Sequence, residues 1–108
     1  MRDDVRVYGD FHKLPPEIFE QIRDAIPFEQ VEYKDNVLRV DHEGKYLDVD
    51  DFLEAMIKLM PEGAWGALDY IDHVEWKVTR YTLRDGEIKS KTFPADNVLD
   101  AHMRDHGL

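Results

Sequence analysis

The sequence predicts an α+β domain in which a mostly antiparallel sheet of hairpins packs against amphipathic helices. Three patterns carry that expectation. Apolar residues alternate on both sides of the turn dipeptide Asp35-Asn36. A stripe at helical spacing runs from Val49 to Met60. A second alternating pair of segments flanks Asp85-Gly86, a dipeptide that favours a tight hairpin.

Taken in order, Val5, Val7, Gly9 and Phe11 share one parity and predict a first strand over about residues 4–11. Leu14-Pro15-Pro16 stops it and opens a helix, because proline suits the first helical turn. Ile18, Phe19, Ile22, Ala25 and Ile26 form the apolar stripe of that helix, and Pro27 ends it. Residues 31–48 then read as a three-strand meander with turns at Asp35-Asn36 and Glu43-Gly44. In that register Tyr33 faces Leu38, Val31 faces Val40, and Val40 faces Leu47 on one apolar side. Glu32 falls opposite Arg39 on the other side, an opposite-charge pair that supports a sheet.

The second helix follows directly. Val49, Phe52, Leu53, Met56, Ile57 and Met60 make one stripe, with Asp48 as the expected N-cap and Asp50 and Asp51 in the first turn. Pro61-Glu62-Gly63 ends it. Residues 64–71 are ambiguous. Ala64, Trp65, Leu68 and Ile71 fit two helical turns, while Gly63 and Gly66 weaken that pattern. A strand over about 73–84, a strand over 87–93, and a last helix opened by Pro94 complete the order β-α-β-β-β-α-(α)-β-β-α. Val98, Leu99, His102 and Met103 share one side of that last helix.

One domain spanning residues 1–108 is expected from the length. A hydrophobic content of 43% is enough for a core without metal or disulfide staples. The absence of cysteine suits a reducing compartment. The first residues resemble no signal peptide, and no apolar run reaches the roughly 20 residues of a membrane helix. A soluble, cytoplasmic and, from its size and simplicity, bacterial protein is the expectation.

The net charge of −10 disfavours nucleic acid and anionic membranes as partners and leaves basic partners and cations open. The charge is uneven: residues 74–93 alone carry more bases than acids, five against three. Folding that segment about Asp85-Gly86 sets Leu83 against Ile88 and Tyr81 against Ser90 on one face. The other face sets Val78 against Phe93, Arg80 against Lys91, and Thr82 against Lys89, with Trp76 further along. Like charges opposite one another destabilise a sheet, so Arg80 and Lys91 require an acid nearby. Either this acidic chain supplies it, or the face waits for an anionic ligand or a partner. Trp76, Arg80, Lys89 and Lys91 are therefore the candidate binding surface, with Trp65 nearby.

Candidates for chemistry are sparse. The only serine, Ser90, lies inside a predicted strand, so nucleophiles are scarce. Two short clusters join histidine to carboxylate at element ends: Asp10-Phe11-His12, and Asp69-Tyr70-Ile71-Asp72-His73. Such pairs serve acid–base work or hold a metal. They also serve as ordinary turn residues, which is the favoured reading here. His102 and His106 stand one helical turn apart, a spacing that holds a metal only when further ligands arrive from elsewhere. No cofactor motif is present: there is no phosphate loop, GxGxxG, EF-hand loop or CxxC.

Gly63-Ala64-Trp65-Gly66 between two expected helices resembles the GxxG loop of KH RNA-binding domains, and the element order over about 37–105 is similar to that family's. The resemblance implies RNA binding. This loop, however, has Glu62 beside it and no base within it, and the simpler reading is a helix stop with Trp65 packed inward.

The expectation is a non-enzymatic binding module acting through a protein partner or self-association as a homodimer. Two alternatives remain. One is an acidic regulator whose carboxylates imitate nucleic-acid phosphates on a basic protein. The other is a small enzyme or metal protein that requires Asp10, His12, Asp72 and His73 to converge.

Overall fold

The computed structural model describes residues 4–94, and they form an α+β fold of one six-stranded antiparallel sheet and two helices. The elements are β1 (Val5–His12), α1 (Pro16–Ile22, continued by a 3-10 turn Arg23–Ala25), β2 (Gln30–Lys34) and β3 (Val37–Gly44). They are followed by α2 (Asp50–Leu59), β4 (Trp65–Asp72), β5 (Lys77–Arg84) and β6 (Glu87–Pro94). The strand order is β2-β3-β1-β4-β5-β6. Strand β3 therefore lies between β1 and β2, and β1 lies between β3 and β4. Each helix joins two parallel strands separated by a third, giving a doubly split β-α-β arrangement with the β5–β6 hairpin added at one edge.

Both helices cover the same face. Val5, Val7, Phe11, Leu38, Val40, Leu68 and Leu83 point from the sheet into one buried cluster with Leu14, Ile22, Phe28, Phe52, Leu53 and Met56. The stripe on α2 supplies Phe52, Leu53 and Met56, whose burial stabilises the fold by roughly 1.5–3 kcal/mol each. Phe52 meets Phe11 of β1 edge-on at 5.7 Å and Phe28 of the α1–β2 connection at 5.2 Å. At the flank Phe19 of α1 stacks on Tyr33 of β2, whose hydroxyl donates to the Leu14 carbonyl.

Two turns have the form the sequence requires. Asp35 and Asn36 both take positive φ, 54° and 65°, as a two-residue hairpin turn demands. The resulting register sets Tyr33 against Leu38, Glu32 against Arg39 and Val31 against Val40. Asp85 and Gly86, at 53° and 75°, make the second such turn.

Three expectations are corrected. Glu43-Gly44 makes no hairpin, and residues 45–49 form no strand. The far side of β3 pairs instead with β1, so Val40 lies against Gly9 rather than Leu47. A distant strand with the right parity competes for β3 and wins, because Val5–Phe11 also buries its apolar face there. Residues 65–72 are a strand rather than a helix, which also removes the element order shared with KH domains. The alternation that decides it is Gly66, Leu68 and Tyr70, all facing the helices through the β1 register. Strand β5 begins at Lys77, after a turn over residues 73–76. In addition, Asp48 acts one residue before the α2 cap, with its carboxylate accepting the Asp50 N–H at 2.8 Å. The expected last helix lies outside the described residues.

Gly66 has a packing reason to lack a side chain. A Cβ there would lie 2.9 Å from Phe11 Cγ and Cε1 and closer still to Cδ1. Phe11 occupies the space, which lets its ring reach Phe52. Gly66→Ala is therefore expected to destabilise the domain by about 1–3 kcal/mol through overpacking. Urea denaturation checks it; an unchanged midpoint would contradict this packing.

Candidate functional site

Side chains of alternate parity leave the other sheet face without a described helix. The strand registers align them in rows across the sheet. One row runs Gln30, Asp41, Tyr8, Asp69, Arg80 and Lys91. The next runs Glu32, Arg39, Asp10, Ala67, Thr82 and Lys89. Opposite charges are neighbours at Asp69–Arg80 in the first row and along Glu32, Arg39 and Asp10 in the second, the favourable arrangement across strands, whereas Arg80 and Lys91 are like charges side by side.

Arg80 is held firmly. Its Nε donates to Asp69 Oδ1 at 2.8 Å and its terminal nitrogen to Oδ2 at 3.1 Å, a fork-to-fork pair. The Asp69 hydrogen bond keeps the Arg80 guanidinium protonated to higher pH than usual, against the opposing effect of burial. Across the other ladder, the Tyr8 pKa is raised by burial first, then by the charge of Asp69 and a hydrogen bond to it. Arg6 lies over the Tyr8 ring at 5.1 Å and reaches Asp41 at 3.6 Å. With Arg39, Glu32 and Asp10 these residues border a shallow depression of about 610 Å³ over β1, β3 and β2. Towards the opposite corner Val78 is 2% exposed, although it lies outside the main core. Its ladder neighbours are Ile71 and Phe93, and Arg80 sits 5.8 Å above the Phe93 ring.

The histidine–carboxylate clusters stand at opposite ends of the β1–β4 ladder. His12 Nε2 lies 3.3 Å from Asp10, and its ring stacks on Trp65 at 4.0 Å with an interplanar angle of 11°. His12 pairs with Trp65, whereas Asp72 pairs with Val5, seven residues further along β4, roughly 23 Å at about 3.3 Å per residue. The structure brings Asp10 together with His12 but not with Asp72 or His73. Ser90 sits on β6, three strands away from β1, and points to the helix side.

Asp72 organises a turn. Its Oδ1 accepts the N–H groups of Val74 and Glu75, each at 2.9 Å, and the Tyr46 hydroxyl at 2.7 Å. Burial raises the Asp72 pKa, but these three donors and Lys77 outweigh it and hold the carboxyl below its ordinary range. The same bond is the leading cause that pushes Tyr46 up to about 12. Trp76 closes this turn at φ +59°, within ring contact of His73. It stands at the sheet end, apart from the middle row that holds Arg80 and Lys91.

Lys89 and Lys91 lie on β6, whose residues are all exposed except Phe93. Neither lysine forms an ion pair among the described residues, whereas Arg6 and Arg80 do. Among the described residues no group of three histidine or carboxylate side chains is placed to hold a metal. His102 and His106 lie outside the described residues. No described helix is long and apolar enough to cross a membrane.

Sequence reasoning missed Tyr8 and the identity of Asp69 as the acid for Arg80. The parity of Arg6, Tyr8 and Asp10 against Val5, Val7 and Gly9 was the available signal. No protein-family model, curated protein or solved structure matches the chain.

The depressed pKa of Asp72 has a definite sign. Its stabilising contribution is complete above its unfolded value near 3.8 and is lost as pH falls through the lower native value. Wild type and Asp72→Asn should therefore differ most in urea midpoint above about pH 4 and converge below it. A gap that is constant with pH would contradict the turn's dependence on the carboxylate.

Proposed function

We propose that this chain is a non-enzymatic binding protein that engages an acidic surface of a partner through the basic β5–β6 flank of its sheet. One observation carries the reading. On a chain of net charge −10, Lys89 and Lys91 stand exposed and, among the described residues, without an ion pair, while the neighbouring Arg80 is already neutralised by Asp69. Cations without an internal acid are free to steer and hold an anionic partner. Tyr8 and Trp65 on the same face, 38% and 42% exposed, add the aromatic area on which protein interfaces draw.

Catalysis has less support. The two histidine–carboxylate clusters do not converge, and the one serine faces the other side of the sheet. The partner is a protein, either another chain or a second copy. A cytoplasmic setting fits a chain without cysteine.

Reversing both lysines, Lys89→Glu with Lys91→Glu, tests the reading and leaves the Arg80–Asp69 pair in place. Immobilised wild type and variant are compared for proteins retained from cell extract, and both are run in sedimentation equilibrium at low and high salt. The expected result is a partner, or a self-association, that salt weakens and charge reversal removes. Identical retention and identical mass for both chains would contradict it.

A further inference from the structure

We propose that β6 is a docking edge that takes an extended acidic segment of a partner protein as a seventh, antiparallel strand. This deepens the protein-binding reading above and rests on it. The geometry begins at the turn. Asp85 and Gly86 both have positive φ, so the hairpin closes with a two-residue turn and Arg84 and Glu87 form the flanking hydrogen-bonded pair. Bonded and non-bonded pairs alternate along an antiparallel ladder. Glu87, Lys89, Lys91 and Phe93 therefore spend their backbone groups on β5. The N–H and C=O groups of Ile88, Ser90 and Thr92 point away from β5, at the edge of the sheet that the described residues form.

The two edges differ in capacity. Strand β2 has five residues at the other edge, while β6 has eight, almost all exposed. An edge of that length is open to pairing unless something guards it. The guards here are Lys89 and Lys91, and their placement selects the occupant. An added antiparallel strand would bond to Ile88, Ser90 and Thr92. Its residues opposite Lys89 and Lys91 would then occupy non-bonded pairs, where side chains approach most closely. Carboxylates at those alternate positions would pair with both lysines.

A second copy of β6 does not satisfy this. A two-fold axis through Ser90 sets Lys89 against the other copy's Lys91, and an axis through either lysine sets it against itself; an axis through Ile88 sets Lys89 against Glu87 but carries Lys91 past the end of the other strand, opposite its Asp85 turn. Like charges directly opposite destabilise the pairing. The same lysines thus oppose self-pairing in the registers centred on residues 89–91, and only an acidic strand pairs with both of them along β6. Backbone bonds supply affinity and the alternate side chains supply specificity, as in strand addition generally.

The test uses a short blocked peptide alternating valine with glutamate, labelled for fluorescence anisotropy, and a control with lysine in place of glutamate. The whole chain is titrated as wild type, as Lys89→Glu with Lys91→Glu, and as Ser90→Pro. Proline at position 90 removes an outward donor and leaves the bonds to β5 intact. Amide hydrogen exchange is followed in wild type with and without peptide, so the outcome does not depend on the proline variant folding.

The expected result is binding of the glutamate peptide but not the lysine peptide, weakened about tenfold or more by each variant. Exchange at Ile88, Ser90 and Thr92 should slow on binding. Binding that needs the lysines but ignores Ser90→Pro and leaves those amides unprotected would overturn strand addition while sparing the protein-binding reading. No binding of the glutamate peptide would overturn the inference, and the extract and sedimentation comparison would then judge the broader reading by itself.

Discussion

The fold depends on an aromatic ring that rests where a side chain is missing. Phe11, on the central strand β1, lies over Gly66 of the neighbouring strand and meets Phe52 of α2 edge-on. Phe52 in turn meets Phe28 beyond α1. One contact chain thus joins the middle of the sheet, the second helix and the first crossover. Without the gap at Gly66 the ring would have to leave this position. The Phe11–Phe52 contact that helps seat α2 on the sheet would then be lost.

This closure commits one side of the sheet to the core and leaves polar chemistry to the other. Strand parity does the sorting: Val5, Val7 and Phe11 go in, and Arg6, Tyr8 and Asp10 go out. On the outer side the chain neutralises most of its central charges internally, through Arg80 with Asp69 and Arg6 with Asp41. What remains unbalanced among the described residues is the edge that carries Lys89 and Lys91. A lattice of paired charges is a stable surface, whereas an unpaired cationic edge is an invitation to an anionic partner. The distinction between these two parts of one face supports the proposal that a partner docks at the β6 side.

The readable parts of the sequence were those governed by local chemistry. Both positive-φ turns are set by dipeptides that tolerate that conformation, so the registers around Asp35-Asn36 and Asp85-Gly86 follow from counting residues. The α2 stripe is equally local. The failures share a cause: each required knowledge of a distant neighbour. Strand β3 could pair with residues 45–48 or with β1, and only the assembled sheet decides in favour of β1. Gly66 reads as a weak helix position until Phe11 is seen to fill its place. The need of Arg80 for an acid was legible from the like charge of Lys91, but Asp69 emerges only once β4 is recognised as a strand. The distance between Asp10–His12 and Asp72–His73 likewise follows from the antiparallel β1–β4 pairing, which no local pattern announces.

The central claim is that Phe11 and Gly66 lock the sheet to its helices. Proton NMR of the native chain tests it without any substitution. A ring seated over Gly66 should displace the Gly66 Hα resonances from their usual strand positions. It should also give nuclear Overhauser contacts from them to the Phe11 ring, and from that ring to Phe52. Undisplaced Gly66 Hα signals with no contact to Phe11 would contradict the packing and the sheet order built on it.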